Sequence, residues 1–218
     1  MSPPFELVVF DWDGTVVDST ASIARAIQQA AADLGLAVPS TAQASHVIGL
    51  GLRDALAAAV PDLGTDRIDE FSERYRHHYL AVEQDIVLFD GIRELLAALA
   101  ADGARLAVAT GKSRRGLDRA FESTGLGGYF EASRCADETQ PKPHPAMLQE
   151  LTTMLAVRRE RTVMVGDTSH DLAMARAAGT AAVGVTYGAH PRAQLVQFEP
   201  AALVDTVDAL HRWLLKSD

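Results

Sequence analysis

Acidic residues stand directly after two strongly apolar runs. Val8-Val9-Phe10 is followed by Asp11-Trp12-Asp13-Gly14-Thr15, and Val163-Met164-Val165 by Gly166-Asp167-Thr168-Ser169-His170-Asp171. A third run, residues 106–109, ends in Thr110-Gly111-Lys112-Ser113. If each run is a buried parallel strand, these residues sit at the carboxyl ends, where open α/β sheets bind ligands. Asp11, Asp13, Asp167 and Asp171 then converge at one sheet edge, and Asp167 and Asp171, four apart, share the face of a helix start. Crowded carboxylates repel one another unless a cation lies among them. Oxygen donors without cysteine or paired histidine suit a hard ion, Mg²⁺ above others. Taken singly, Asp11 reads as a turn cap and Asp167 as a helix cap; taken together, the four read as a metal and catalytic cluster.

A cation is available in Gln140-Pro141-Lys142-Pro143-His144-Pro145. Flanking proline rings restrict the backbone around Lys142. That setting can aim an ammonium into the carboxylates, where it offsets charge and holds a phosphate. Lysine is scarce: only Lys112, Lys142 and Lys216 occur. A surface turn lysine is the plainer reading, but rarity and rigidity favour the functional one.

Positioning these groups requires a sheet. Residues 6–10, 105–109, 162–165 and 182–186 read as buried strands, with a further short strand at 130–134. Helical patterns lie at 91–101, 114–123, 145–155, 169–178 and 209–215. Strands alternating with helices of this length imply right-handed βαβ units and a parallel sheet, an α/β Rossmann-like core in three layers. One stretch breaks the alternation. Between about residues 17 and 88 no strand is apparent, whereas 19–34, 52–60 and 66–82 show helical spacing of apolar residues, jointed at Gly49-Leu50-Gly51. The expected organisation is therefore a core of residues 1–16 and 89–218, with an inserted all-α domain at 17–88.

Bulk properties narrow the function. The chain has 218 residues, a net charge of −9 and one cysteine, Cys135. The charge disfavours nucleic acid as a partner, and no apolar run reaches the ~18–20 residues of a membrane span. Met1-Ser2-Pro3-Pro4 lacks the basic and apolar regions of a signal peptide. One cysteine excludes an internal disulfide and a cysteine-built metal site. A cytoplasmic protein acting on a small molecule, as monomer or homodimer, fits best.

Together these residues resemble the haloacid dehalogenase superfamily of phosphohydrolases. Asp11-Trp12-Asp13-Gly14-Thr15 corresponds to its first motif, Thr110 to the second, Lys142 to the third, and Gly166-Asp167 with Asp171 to the fourth. The insertion resembles the small α-helical cap of phosphoglycolate-phosphatase-like members, and Phe89-Asp90-Gly91-Ile92-Arg93-Glu94-Leu95-Leu96 is similar to the segment that re-enters their core. The resemblance implies Asp11 as nucleophile forming an aspartyl-phosphate, and Asp13 as general acid and then base. It implies Mg²⁺ held by Asp11, Asp167 and the Asp13 backbone carbonyl, with Asp171 ordering a metal-bound water or orienting Lys142. Thr110 and backbone N–H groups at Gly111 and Trp12–Asp13 would hold the phosphoryl group, and Lys142 would stabilise Asp11 and the transferring charge.

Within that family, Asp13 disfavours dehalogenation, whose ester intermediate needs no acid there. Phosphonoacetaldehyde hydrolysis requires a cap lysine, and residues 17–88 contain none. A β-phosphoglucomutase-type enzyme shares the first motif and the cap, but usually carries Glu-Asp where this chain has Gly166-Asp167. A phosphatase for phosphoglycolate or a short sugar phosphate is the resulting expectation. A non-catalytic phospho-ligand binder is the rival of another class, weakened by the complete motif set.

The organic end of the substrate should meet the cap joint. Arg53 is the candidate there, since an arginine grips a carboxylate or second phosphate bidentately; a solvated residue paired with a nearby acid is the equal alternative. His46, with Gly49, Leu50 and Gly51, is a further substrate-binding candidate at the joint, though it reads more readily as a helix-end or packing residue. Ser19 and Thr20 read as N-caps of the first cap helix, the loop at Tyr187-Gly188-Ala189-His190 as a plain loop, His170 as solvent-facing, and Arg114-Arg115 as a helix start or an anion-attracting pair. The cap is expected to swing about hinges near residues 15–18 and 88–91.

Overall fold

The computed structural model describes residues 5–215. Met1-Ser2-Pro3-Pro4, read above for a leader, and Lys216 lie outside the described residues. Strands β1 (Leu7–Phe10), β2 (Arg105–Thr110), β3 (Ala132–Cys135), β4 (Thr162–Gly166), β5 (Ala181–Val185) and β6 (Ala202–Val204) form one sheet in the order β3-β2-β1-β4-β5-β6. Every neighbouring pair is parallel. β1 at the centre is apolar throughout because both faces of the sheet are covered. Val8 and Phe10 enter one buried cluster and Leu7 and Val9 the other, as the two-residue strand period requires. Helices α5 (Ile92–Ala101), α6 (Arg114–Thr124) and α10 (Val207–Leu215) supply Leu95, Leu117 and Leu210 to the first cluster. Helices α7 (Ala146–Met154) and α8 (Ser169–Ala178) supply Leu148 and Met174 to the second.

Register decides what meets at the sheet edge. Phe10 pairs with Val108 on one side and Val165 on the other. Asp11, Thr110 and Asp167 therefore emerge within a residue or two of one another along the same edge.

Between β1 and α5 the chain forms α1 (Thr20–Asp33), α2 (Thr41–His46), α3 (Leu52–Ala59) and α4 (Ile68–Val82). These helices bury an apolar cluster of their own, with Ile27, Ala30, Leu56 and Phe71 at its centre. The two connections to the core run side by side. Val17 bridges Leu88, Asp18 N–H donates to Val87 O (2.9 Å) and Phe89 N–H to Val16 O (3.2 Å).

Some elements were not anticipated. Helix α2 is short, but its Ser40 capping box with Gln43 was a readable signal. Strand β6 and the four-residue α9 (Arg192–Leu195) are too short to show a period. Strand β3 lies at 132–135 rather than 130–134, because Phe130 turns inward onto Trp12 and Phe121.

Candidate active site

Asp11 follows β1 and is held in strand register by its N–H, which donates to Val165 O (2.9 Å). Asp167 follows β4; its Oδ1 accepts from Thr15 Oγ1 (2.8 Å) and its Oδ2 from the Ala189 N–H (2.7 Å). Asp171 lies in the first turn of α8, where Thr168 is the N-cap. Thr168 Oγ1 accepts from the Asp171 N–H (3.3 Å), while the Thr168 N–H (3.0 Å) and hydroxyl (2.7 Å) donate to Asp171 Oδ2. This capping box ties up Oδ2 and leaves Oδ1 for the site. One oxygen from each of Asp11, Asp167 and Asp171 lies within 4.8 Å of the others, and all three side chains are buried.

Lys142 holds the cluster together. Its Nζ lies 2.8 Å from Asp11 Oδ1 and 2.6 Å from Asp171 Oδ1, with the side chain fully enclosed. One ammonium does not neutralise three carboxylates. Burial pushes the Asp11 carboxyl well above the ordinary carboxylate range, and the charge of Asp171 adds to it. Asp167 is pushed up to about 7, by burial first and by Asp171 second. Burial also opposes the Lys142 charge, but Asp11 and Asp171 outweigh it and hold its pKa above the usual lysine value. Asp11 Oδ2 is buried without a hydrogen-bond partner. An orphaned carboxylate oxygen beside two further aspartates, in a cluster short of positive charge, fits a divalent metal ion.

Asp13 is arranged differently. Its carboxylate is no member of the metal-competent group. Oδ1 accepts from Ser19 Oγ (2.6 Å), and Oδ2 pairs with Lys112 Nζ at 3.0 Å. Ser19 thus occupies the N-cap position of α1 without capping it; its hydroxyl serves Asp13 instead. Lys112 Nζ also donates to Tyr79 Oη on α4 (2.9 Å) and lies 4.8 Å from that ring's centroid. Burial disfavours the Lys112 ammonium, yet Asp13 and then Tyr79 more than restore it, and its pKa stays above the usual lysine value.

A model of the haloacid dehalogenase-like hydrolases matches residues 8–185, which include every motif described above. The chain belongs to this family. A probable phosphatase, IndB, of Dickeya dadantii is 39% identical over 206 residues, covering 92% of this chain and 89% of that protein. A phosphoglycolate phosphatase of Yersinia pseudotuberculosis is 35% identical over 187 residues, covering 83% and 81%. Among solved structures, a predicted phosphoglycolate phosphatase from Haemophilus somnus 129PT superposes with a TM-score of 0.85 at 28% identity, covering 99% of both chains.

In this hydrolase the Gly49-Leu50 joint of the insertion lies against the sheet edge. A Cβ at Gly111 would be 2.4 Å from Leu50 O and 2.6 Å from Gly49 O, so only glycine lets the two backbones meet. Position 49 in turn lies against Thr168 and within 3.8 Å of Asp11 Oδ2, measured from where its Cβ would be. Gly111→Ala should hold the joint off the core and lower kcat/KM about 100-fold through misplacement alone, while the melting temperature stays within a few degrees. Steady-state kinetics beside a thermal melt check this; unchanged kinetics would show that closure tolerates the extra carbon.

Other residues fall as follows. Thr110 is buried and its Oγ1 accepts from the Lys112 N–H (3.2 Å), shaping the loop that carries Gly111. Arg53 is not brought to the carboxylates: its side chain is 62% exposed and pairs with Asp69 on the insertion surface. His46 does meet the core. Its carbonyl accepts from His170 Nε2 and His190 Nε2 (3.0 Å each), and its ring stacks on His190 at 4.9 Å. His170 is thus engaged with the insertion through His46 rather than solvent-facing. The loop at 187–190 is not a plain connector, because Ala189 donates to Asp167 and Tyr187 Oη to Thr15 O (3.3 Å). Arg114 is consumed by Glu138, Asp118 and Ser133. Lys112 was visible as one of the rare lysines, directly after Thr110-Gly111, yet only the approach of α4 revealed its partners.

Proposed function

We propose that the chain is a Mg²⁺-dependent phosphatase that hydrolyses a small phosphate monoester, phosphoglycolate or a short sugar phosphate, through an aspartyl-phosphate on Asp11. The bridge from Lys142 Nζ to both Asp11 and Asp171 carries this reading: it is an enclosed cation holding a strand-end carboxylate in place for attack. A carboxylate oxygen of Asp11 attacks phosphorus as the ester P–O bond breaks. Asp13 gives its proton to the departing alkoxide, then takes one from the water that attacks the aspartyl-phosphate, restoring Asp11 and releasing phosphate. Thr110 and the Gly111 N–H orient the phosphoryl oxygens. Asp11, Asp167 and the Asp13 carbonyl would hold Mg²⁺, which screens the negative nucleophile from the negative phosphate. Residues 17–88 act as the cap, with 1–16 and 89–218 as the catalytic core. Among the described residues no helix is long and apolar enough to cross a membrane.

Position 166 supports hydrolysis over the phosphosugar mutase alternative. A Cβ there would lie 2.3 Å from Asp171 Cγ, so the glutamate usual in those mutases has no room beside Asp171 as arranged here.

The test is phosphate release from a panel holding phosphoglycolate, pentose and hexose phosphates, nucleotides, pyrophosphate and β-glucose 1-phosphate. A substrate reaching on the order of 10⁴ M⁻¹s⁻¹ in kcat/KM, and only with Mg²⁺, is expected. Glucose 6-phosphate accumulating without phosphate release would establish the mutase instead.

Metal binding should follow the protonation of Asp167. A carboxyl raised on folding contributes stability below its unfolded pKa, near 4, and loses that contribution as pH rises toward the folded value of about 7. Above that value the metal takes the proton's place without competition. The rise in melting temperature on adding Mg²⁺ to chelator-treated protein should be larger at pH 8 than at pH 6. Equal shifts would mean that Asp167 is not a ligand.

A further inference from the structure

The mechanism above leaves Lys112 without a task. It is a rare lysine, its side chain is only 10% exposed, and it joins core to insertion by touching Asp13 on one side and Tyr79 on the other. Pairing with Asp13 alone would need no partner on α4. An acid that protonates the leaving oxygen must touch that oxygen, so the group borne by the leaving alcohol passes beside Asp13 Oδ2. Lys112 Nζ lies 3.0 Å from that atom. Anything one or two bonds beyond the ester oxygen therefore falls within reach of the ammonium and of Tyr79 Oη. An ammonium has three donor protons, and Asp13 and Tyr79 occupy only two.

The neighbouring cations are engaged elsewhere: on α6, Arg114 pairs with Glu138 and Arg119 with Glu83. Lys142 is enclosed on the phosphoryl side between Asp11 and Asp171. On the insertion, Arg25, Arg53, Arg74 and Arg76 are exposed, and Arg67 is tied to Glu70. We infer that Lys112 and Tyr79 form a subsite for a carboxylate carried next to the ester oxygen, so that the preferred substrates are phosphate esters of short α-hydroxy acids. This rests on the phosphatase reading and deepens it: between an acid and a neutral sugar as leaving group, it chooses the acid.

Two esters isolate the carboxylate. 2-Phosphoglycolate and 2-hydroxyethyl phosphate share the phosphoryl group and chain length, and differ by a carboxylate against a hydroxymethyl. Calorimetric titration of each into Asp11→Asn protein with Mg²⁺ reads binding without turnover. Phosphoglycolate should bind about 10–100-fold more tightly, the range of a charge-assisted hydrogen bond. Adding Lys112→Met should bring the two within about threefold. Tyr79→Phe, which removes one hydroxyl, should reduce the preference by about threefold to tenfold and carries the test if Lys112→Met fails to fold. Equal affinities in the parent, or a preference that survives both substitutions, would overturn the subsite. The phosphatase reading fails separately: it falls if the wild-type chain turns over neither ester nor the wider panel, whereas turnover of both without preference keeps it and removes the subsite.

Discussion

Asp11→Asn should lower phosphate release on the order of 10⁴–10⁶-fold, the scale seen when a covalent nucleophile is removed, while leaving the protein as stable as the parent or more so. The two halves of this expectation have different origins. Loss of rate follows from the position of Asp11, whose orphaned Oδ2 lies near Gly49 of the insertion and whose Oδ1 is held by Lys142. Retained stability follows from burial, which together with Asp171 makes the ionised Asp11 costly. Asparagine keeps the shape, removes that charge and leaves Lys142 paired with Asp171. Phosphate assay and thermal melt should therefore move in opposite directions or not together. A variant both inactive and strongly destabilised would mean that Asp11 is structural; one retaining more than about a tenth of the activity would exclude it as nucleophile.

Lys142→Met should damage both properties. It removes the ammonium that bridges Asp11 and Asp171 and leaves three buried acidic groups without that positive charge. Breaking a buried pair from one side costs about 3–5 kcal/mol. Protonation of Asp11 and Asp167 absorbs part of that cost at low pH, so destabilisation should grow from pH 5 to pH 8. Activity should fall about 10³-fold, as when a preorganised electrostatic contact to the reacting group is lost. Urea unfolding in chelator and in excess Mg²⁺ checks the assignment, because a divalent ion supplies the missing positive charge and should recover part of the stability. Equal midpoints in the two conditions would show that no metal binds among these carboxylates. Lys142→Arg should not restore activity, since a planar guanidinium cannot take the place of a compact ammonium between two carboxylates.

The candidate site at the sheet edge was readable in the chain because its causes are local. A strand buried on both faces must be apolar, so the polar residues directly after it announce where it ends. Three such endings, Asp11, Thr110 and Asp167, are legible in the sequence alone. Asp171 was readable by its spacing from Asp167, Lys142 by its proline setting, and the insertion by a change of period from two to about 3.6. Residues whose partners are distant in sequence behaved differently. Ser19 stands where an N-cap is expected, but its hydroxyl reaches Asp13 instead. The loop at 187–190 has no periodicity and no unusual composition, yet its Ala189 N–H is what satisfies Asp167. Arg53 had suitable chemistry and a suitable neighbourhood, but the turn of α3 points it at Asp69 on the surface.

By itself, then, the amino-acid sequence determined the parallel α/β core, the place of the helical insertion and the acidic and lysine residues of the site, because strand burial, helix period and backbone restriction act over a few residues at a time. Only the tertiary structure decided which groups serve which: that Lys142 spans Asp11 and Asp171, that Lys112 joins Asp13 to Tyr79, and that Gly49 and Leu50 close onto Gly111. Hydrogen bonds and ion pairs act over about 3 Å, and whether two residues come that close depends on how α1–α4 settle over the sheet, which no spacing along the chain records.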